Sequence, residues 1–366
     1  MLELIIKEKN SRKKIFLNKS KIQTQKKNKK NKKNRKNNQS IKNNLSLPRG
    51  GFKKVREIIV EKKMSDDKVS KLEGKYLSDK YFDTIIKNDT DIFYFNDNKK
   101  ILLAKFRKNV LPKKECRKVI DNLKEAAKKE HDNRGAAAGR LDFNKLPDYI
   151  DKNKVKKQSR YVIRGYYSKK KGGYVEQIIG NKAKSNIIGY YDKPDRNLGQ
   201  GAPLCRLTSF NEKNLEKFNN VIPFIESVDN QFKKLVPIEY KKQHKRAHQT
   251  KFVIKDTAFS TLTINHNWRT ALHKDTGDFK DGFGNLVVCE EGKYSGGYTG
   301  FPQFGVAFDV REGDFLAMDV HEWHCNTKIK GKRKKNKDGK MEDDFSRLSL
   351  VCYLRDKMIR CRGMKI

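Results

Sequence analysis

Hydrophobic and polar positions change rhythm along the chain. After Thr257 nearly everything reads as strand and turn: TAFSTLTIN, LVVCEE, GVAFDV, GDFLAMD and RLSLVCYL are the strand segments. In a strand alternate side chains share a face, so these short runs predict a sheet with distinct faces. Upstream the rhythm is helical. In KKECRKVIDNLKEAAKKE, Cys116, Val119, Ile120, Leu123 and Ala126–Ala127 recur at helical spacing, which predicts an amphipathic helix. Residues 210–247 predict one or two helices with a buried stripe of Phe218, Val221, Ile222, Phe224, Ile225 and Val228. Pro223 should begin or kink one of them. DIFYFNDNKKILLAKFRKNVL predicts two strands joined at Asn96-Asp97-Asn98, and RYVIRGYYSKK and SNIIGYYD predict two more. Helices followed by short antiparallel strands predict an α+β fold with a jelly-roll barrel and flanking helices.

Composition divides the chain further. Residues 1–50 contain QKKNKKNKKNRKNNQ and carry seventeen Lys and Arg against two Glu. Such a segment cannot bury enough apolar surface to offset chain entropy and is expected to be a disordered basic arm. Residues 51–80 are expected to be a charged linker or short helix, and ordered structure to begin near Tyr81, giving a domain over 81–366. KIKGKRKKNKDGKMEDDF, residues 328–345, reads as a mobile basic insertion within the barrel. Across 366 residues, 85 Lys and Arg against 44 Asp and Glu leave a formal charge of +41. A polyanion, nucleic acid first, is the partner such a charge fits; a genome biased toward Lys and Asn codons would give part of the same excess. The six cysteines form no metal-binding spacing and predict free thiols in a reducing interior. No run reaches the apolar length of a membrane span. The expectation is a soluble, intracellular monomer.

Candidate chemistry lies in the strand-rich part. In His273-Lys-Asp275 the histidine and the carboxylate are two apart and can aim at one point. His324, after GDFLAMDV, would complete two histidines and one carboxylate on one side of a metal; His321 competes for that place. Arg347 opens the last strand and offers a two-pronged guanidinium to a carboxylate. Arg355, beyond that strand, and Arg333, in the charged loop, are expected to lie away from any such site. NRGAAAGRLD allows close backbone approach between Arg134 and Arg140, either as a tight loop or as a substrate loop. His244 and His248, four apart in KKQHKRAHQ, are read as surface histidines because the neighbouring lysines repel a cation.

NRGAAAGR, IIGYYD with CRLTSF, TLTINHNWRTALHKDTGD, YSGGYTGFPQFGVAFDVREGDFLAMDVHEWHCN and RLSLVCY together resemble the ten-eleven-translocation and base-J-binding-protein dioxygenases, most closely their compact base-J-binding-like branch. The resemblance implies a double-stranded β-helix (cupin-like), Fe(II), 2-oxoglutarate and O2, and oxidation of the 5-methyl group of thymine or 5-methylcytosine in nucleic acid, DNA above all. It implies His273, Asp275 and His324 as iron ligands, His324 being preferred to His321, and Arg347 as the anchor of the distal 2-oxoglutarate carboxylate. It places Asp278, Arg134, Arg140 and Arg206 in blocks that face substrate. The nucleus or another DNA-containing compartment would be the place of action. A 2-oxoglutarate-dependent hydroxylase of protein side chains and a noncatalytic nucleic-acid binder are the alternatives.

Overall fold

The computed structural model describes residues 55–132, 134–192 and 204–364. The basic arm of residues 1–50 lies outside the described residues, as do Asn133 and residues 193–203.

Two sheets are built from Arg56–Val60 (β1), Thr84–Ile86 (β2), Thr90–Asn96 (β3), Lys99–Arg107 (β4), Ala183–Tyr191 (β5), Thr261–His266 (β6), Gly284–Glu291 (β7), Thr299–Phe301 (β8), Val306–Phe308 (β9), Phe315–Met318 (β10), Cys325–Asn326 (β11) and Ser346–Tyr353 (β12). The major sheet runs β1-β3-β4-β10-β7-β12-β6-β5, with Arg206–Leu207 beyond β5; the minor sheet runs β11-β8-β9-β2. Neighbours along both sheets are antiparallel except β1 beside β3 and β9 beside β2. The two sheets face each other as a jelly roll, with the helices Lys113–Lys128 (α1), Leu215–Leu235 (α2) and Pro237–Ala247 (α3) on one side.

Alternation explains the packing. On β7 and β10, Val287, Cys289, Phe315 and Ala317 pack toward α1 and α2. Their neighbours Leu286, Val288, Leu316 and Met318 pack toward Phe301, Val306 and Phe308 of the minor sheet. Both faces of the central strands are therefore buried, which is why LVVC and FLAM are continuously apolar. Every expected apolar position of α1 is buried, as is the expected stripe of α2. Pro223 neither begins nor ends α2 but lies inside it; the apolar residues on both sides of it hold that helix in place despite the missing donor.

Several expectations are corrected. Order begins well before Tyr81. REIIV of the expected linker is an edge strand in parallel register with β3, and Val69 and Leu77 are buried with Phe82 and Cys325. Charged positions facing solvent from a short edge strand conceal it in the sequence. The expected mobile insertion at 328–345 is ordered: Ile329–Gly331 pairs with Tyr294–Gly296, and Arg333–Lys335 pairs with Met341–Asp343 as a hairpin. Opposite charges fix that hairpin, Lys334 Nζ lying 2.7 Å from Asp344. Not all cysteines are free. Cys205 and Cys361 form a disulfide between Cα atoms 6.1 Å apart, whereas Cys116, Cys289, Cys325 and Cys352 are free and buried. His244 and His248 stack with ring centroids 4.1 Å apart. Each Nε2 meets a backbone carbonyl, of Asp256 and Thr257 respectively, so neither is directed at a cation.

Gly189 on β5 has φ +93°, and a Cβ there would lie 2.7 Å from the Ser260 carbonyl oxygen. Gly189→Ala should therefore destabilise the fold by on the order of 1–3 kcal/mol. Urea unfolding checks this; a midpoint equal to the parent's would show that the backbone relaxes freely.

Candidate metal centre and its cavity

β6 ends at His266, and Asn267 turns the chain with φ +46°. The following segment is pinned by main-chain bonds. Ala271 N–H donates to the Ala137 carbonyl at 2.8 Å and Leu272 N–H to the Lys75 carbonyl at 3.0 Å. His273 and His324 then exchange two backbone hydrogen bonds of 3.0 Å each, and Asp275 N–H reaches the Val320 carbonyl at 3.0 Å. His273 thus sits in an isolated bridge, which keeps the extended geometry that points His273 and Asp275 the same way.

The donor atoms of His273, Asp275 and His324 all lie within 4.8 Å of one another. His273 Nε2 is 3.6 Å from Asp275 Oδ1, and His324 Nε2 is 3.6 Å from Asp275 Oδ2. Nδ1 of His273 lies 2.8 Å from the Ala271 carbonyl and Nδ1 of His324 lies 2.9 Å from that of Glu322. A carbonyl only accepts, so both Nδ1 atoms carry a proton and both Nε2 atoms face Asp275. Burial, then the charge of His324, pushes the His273 imidazole down to about 4. Burial pushes the Asp275 carboxyl up, but the hydrogen bond from His324 and the charges of both histidines outweigh it and hold it well below the usual range. Burial lowers His324, and its hydrogen bond to Asp275 overrides that and raises it. An ionised carboxylate beside two inward Nε2 atoms is, once His324 gives up its Nε2 proton, the donor set of a divalent cation, with only three protein ligands to fill its coordination shell.

His321 is elsewhere: its Nε2 lies 3.2 Å from the Phe279 carbonyl. The open side of the triad faces a cavity of about 360 Å³ walled by Thr263 and Asn265 of β6 and by Ser349, Val351 and Tyr353 of β12. Arg347 shares the inward face of β12 with these last three by alternation. Its side chain is buried, with 1% exposure. Nη2 donates to the Gly297 carbonyl at 3.1 Å, and Nε has no partner. Among the described residues Arg347 has no ion-pair partner, an arrangement that favours an incoming carboxylate.

Asp278 is buried beside the triad and lines the cavity. Burial, then the charge of Asp275, pushes its carboxyl up. Arg134 also lines the cavity, and its buried Nε is without a partner. Arg140 does not reach the site. It donates to the carbonyls of Glu73 (2.9 Å) and Lys71 (2.8 Å), clamping the GAAAG turn to the preceding segment. Arg206 borders a neighbouring chamber instead. Arg355, expected to be remote, lines the cavity and is paired through Nε with Asp192 at 2.5 Å. A bridge between Asp278 and Arg355 brings it there. The sequence reading also passed over Thr263, Asn265 and Ser349. Their signal is polarity at positions alternating with Leu262 and Ile264 on β6 and with Leu348, Leu350 and Cys352 on β12.

Residues 186–356 match the oxygenase domain of the 2OGFeDO superfamily described as Tet_JBP, a stretch holding His273, Asp275, His324 and Arg347. That superfamily implies Fe(II), 2-oxoglutarate and O2. The chain is similar to thymine dioxygenase JBP1-B of Trypanosoma cruzi, 37% identical over 174 residues, 47% of this chain and 19% of that protein. It is 34% identical to thymine dioxygenase JBP1 of Trypanosoma brucei brucei over 179 residues, 48% of this chain and 20% of that one. The chain thus spans about a fifth of the length of these relatives. Among solved structures, NgTET1 in complex with 5mC DNA is similar over 83% of this chain and 84% of that chain, at 10% identity and a TM-score of 0.44. No helix of the described residues is long and apolar enough to cross a membrane. Residues 186–356 are an oxygenase domain of the Tet_JBP family within the 2OGFeDO superfamily.

Proposed function

We propose that this chain is an Fe(II)- and 2-oxoglutarate-dependent dioxygenase that hydroxylates the 5-methyl group of a pyrimidine, thymine or 5-methylcytosine, in DNA. The observation that carries the reading is the convergence of His273, Asp275 and His324 within 4.8 Å, opening on a walled cavity inside a Tet_JBP domain. The thymine dioxygenases named above support the choice of substrate, and the charge of +41 suits a DNA partner.

His273, Asp275 and His324 would hold Fe(II), the backbone-bonded Nδ1 atoms fixing both rings. Arg347 would take the distal carboxylate of 2-oxoglutarate, since its buried Nε and fork geometry suit a two-oxygen acceptor. When bound, iron and 2-oxoglutarate supply O2 activation, one oxygen atom passing to succinate as CO2 leaves and the other entering a C–H bond of the methyl group. The chain's own task is geometry and exclusion of water. Leu286, Met318 and Val351 give the cavity an apolar wall, and Arg134 and Asp278 are assigned to the substrate base. A methyl group inside a duplex is beyond the reach of such a cavity, so the base would be flipped out. The chain would act as a monomer in a DNA-containing compartment.

His273→Ala, Asp275→Ala and His324→Ala should each abolish turnover and weaken Fe(II) binding by about two orders of magnitude or more, while His321→Ala keeps both. Anaerobic titration with Fe(II) and 2-oxoglutarate, followed by the visible charge-transfer band, measures this; a dead His321→Ala beside an active His324→Ala would reassign the third ligand. Imidazole must lose its proton to ligate. Because His324 is raised above the ordinary imidazole value, Fe(II) affinity should fall as pH drops through that raised value, with His273, already low, contributing little. An affinity unchanged between pH 8 and pH 5 would contradict the tautomer and ligand assignment.

Arg347→Lys should raise the 2-oxoglutarate requirement and leave Fe(II) binding near normal. Arg347→Ala should be worse, by on the order of 2–5 kcal/mol for a buried pair. Arg333→Ala, in the exposed hairpin, is the control; Arg355 cannot serve because it lines the cavity. Succinate formation against 2-oxoglutarate concentration reports the outcome, and a wild-type curve for Arg347→Ala would displace the anchor. Mass spectrometry of nucleosides after incubation with thymine- or 5-methylcytosine-containing DNA tests the substrate. Turnover of 2-oxoglutarate with no hydroxymethyl nucleoside from either DNA would sink the reading.

A further inference from the structure

A second chamber of about 320 Å³ adjoins the metal cavity and shares Arg134, Ile187 and Tyr191 with it as a common wall. Its other cations are Lys129, Arg206 and Lys213, with His131 beside them, and among the described residues no carboxylate lines it. Elsewhere some lysines and arginines meet acids, as Arg117 and Lys124 meet Glu291. Among the described residues Lys129, Arg134, Arg206 and Lys213 form no ion pair. Four lining side chains also bury a polar atom without a hydrogen-bond partner: His131 Nε2, Arg134 Nε, Ser185 Oγ and Arg206 Nε. Ser185 is only 1% exposed.

Buried polar groups are normally satisfied, and each one left unpaired costs free energy. Four in one chamber point to a missing partner. The two arginine Nε atoms can only donate, the serine hydroxyl can donate, and the histidine Nε2 can donate in one tautomer. The complementary group has several acceptor oxygens and a negative charge. Carboxylate and phosphate both qualify; the position beside the proposed base cavity favours the phosphate, because a nucleotide carries base and phosphate a sugar apart.

We infer that this second chamber is an anion subsite that holds one backbone phosphate of the substrate strand next to the flipped base. The inference rests on the proposed activity toward DNA. It separates the work of the two chambers: one selects the base, and the other sets the register of the strand without reading sequence.

The test uses the full chain loaded with Fe(II) and 2-oxoglutarate under anaerobic conditions, and a short duplex containing the target pyrimidine. Arg206→Gln with Lys213→Gln should weaken duplex binding roughly tenfold and lower the slope of log affinity against log salt by about one. The charge-transfer band should stay as in the parent, which reports an intact metal chamber. Lys213→Gln alone, on an exposed side chain, should move both quantities in the same direction and guards against misfolding of the double variant. Neutral methylphosphonate is then placed in turn at each phosphate flanking the target. One position should reproduce the loss in the parent and cause no further loss in the double variant. An unchanged salt slope, or losses that add at every position, overturns the subsite. So does a raised 2-oxoglutarate requirement with duplex affinity unchanged, which would make the chamber a dicarboxylate site. Failure of the proposed activity shows separately, as a parent protein that makes no hydroxymethyl nucleoside.

Discussion

Two backbone hydrogen bonds, exchanged between His273 and His324 at 3.0 Å each, are the interaction on which the site depends. They splice the loop that follows β6 to the turn that follows β10, two segments fifty residues apart in sequence. Being main-chain bonds, they leave both imidazoles free, and the second ring nitrogens are then fixed by carbonyls two residues back. One net hydrogen bond contributes only about 0.5–1.5 kcal/mol. Here the alternative is a set of buried amides and carbonyls without partners, so the splice is enforced by what its loss would leave behind. β11, which begins immediately after His324, continues the same path into the minor sheet through Gly300.

Buried polar atoms without a hydrogen-bond partner occur across the described residues, Asn285 Oδ1 and Gln303 Oε1 among them, and one group of them lies at the two chambers. One buried charge away from the two chambers is fully met: the Asp314 carboxylate, 0% exposed, accepts from Lys108 Nζ at 2.9 Å and from Asn109 N–H at 3.0 Å. In and around the chambers, Arg347 Nε, Asn265 Oδ1, Arg134 Nε, Arg206 Nε and Ser185 Oγ are left without partners. Unsatisfied donors are tolerated where a bound molecule completes them. The helices covering the outer face of β6 and β12 make this possible, because Leu262, Ile264, Leu348 and Leu350 anchor those strands by one face while the other face stays polar.

Much of this was legible in the chain. The six apolar positions of α1 and the stripe of α2 were visible as helical spacing, and the strand segments after Thr257 lie where the alternation put them. Extended geometry aims His273 and Asp275 the same way, as their spacing suggested, while the backbone pair between His273 and His324 brings His324 to them. What was not legible depends on long-range pairing. Nothing in REIIV distinguishes an edge strand from a charged spacer until its partner β3 is known. Arg355 was set aside for lying beyond the last strand, yet it is the backbone course after Tyr353 that carries it to Asp278. Arg140 and Arg134 flank one short turn with similar chemistry, and only the turn's own twist sends one to a carbonyl clamp and the other to the cavity. The Cys205–Cys361 bond spans 156 residues, a separation at which spacing carries no information.

The sheet order has a consequence for how the protein is made. β12 lies between β7 and β6 in the major sheet, although it follows both of them in the chain by more than fifty residues. Synthesis therefore produces β6 and β7 long before the strand that joins them exists. Until Ser346–Tyr353 leaves the ribosome, each presents an unpaired edge to solvent, a template for the wrong partner. Pairing of this kind is non-local and slow to nucleate. Closure of the sheet and burial of Arg347 on the inward face of β12 are one event, so a nascent chain acquires its core and this buried guanidinium together.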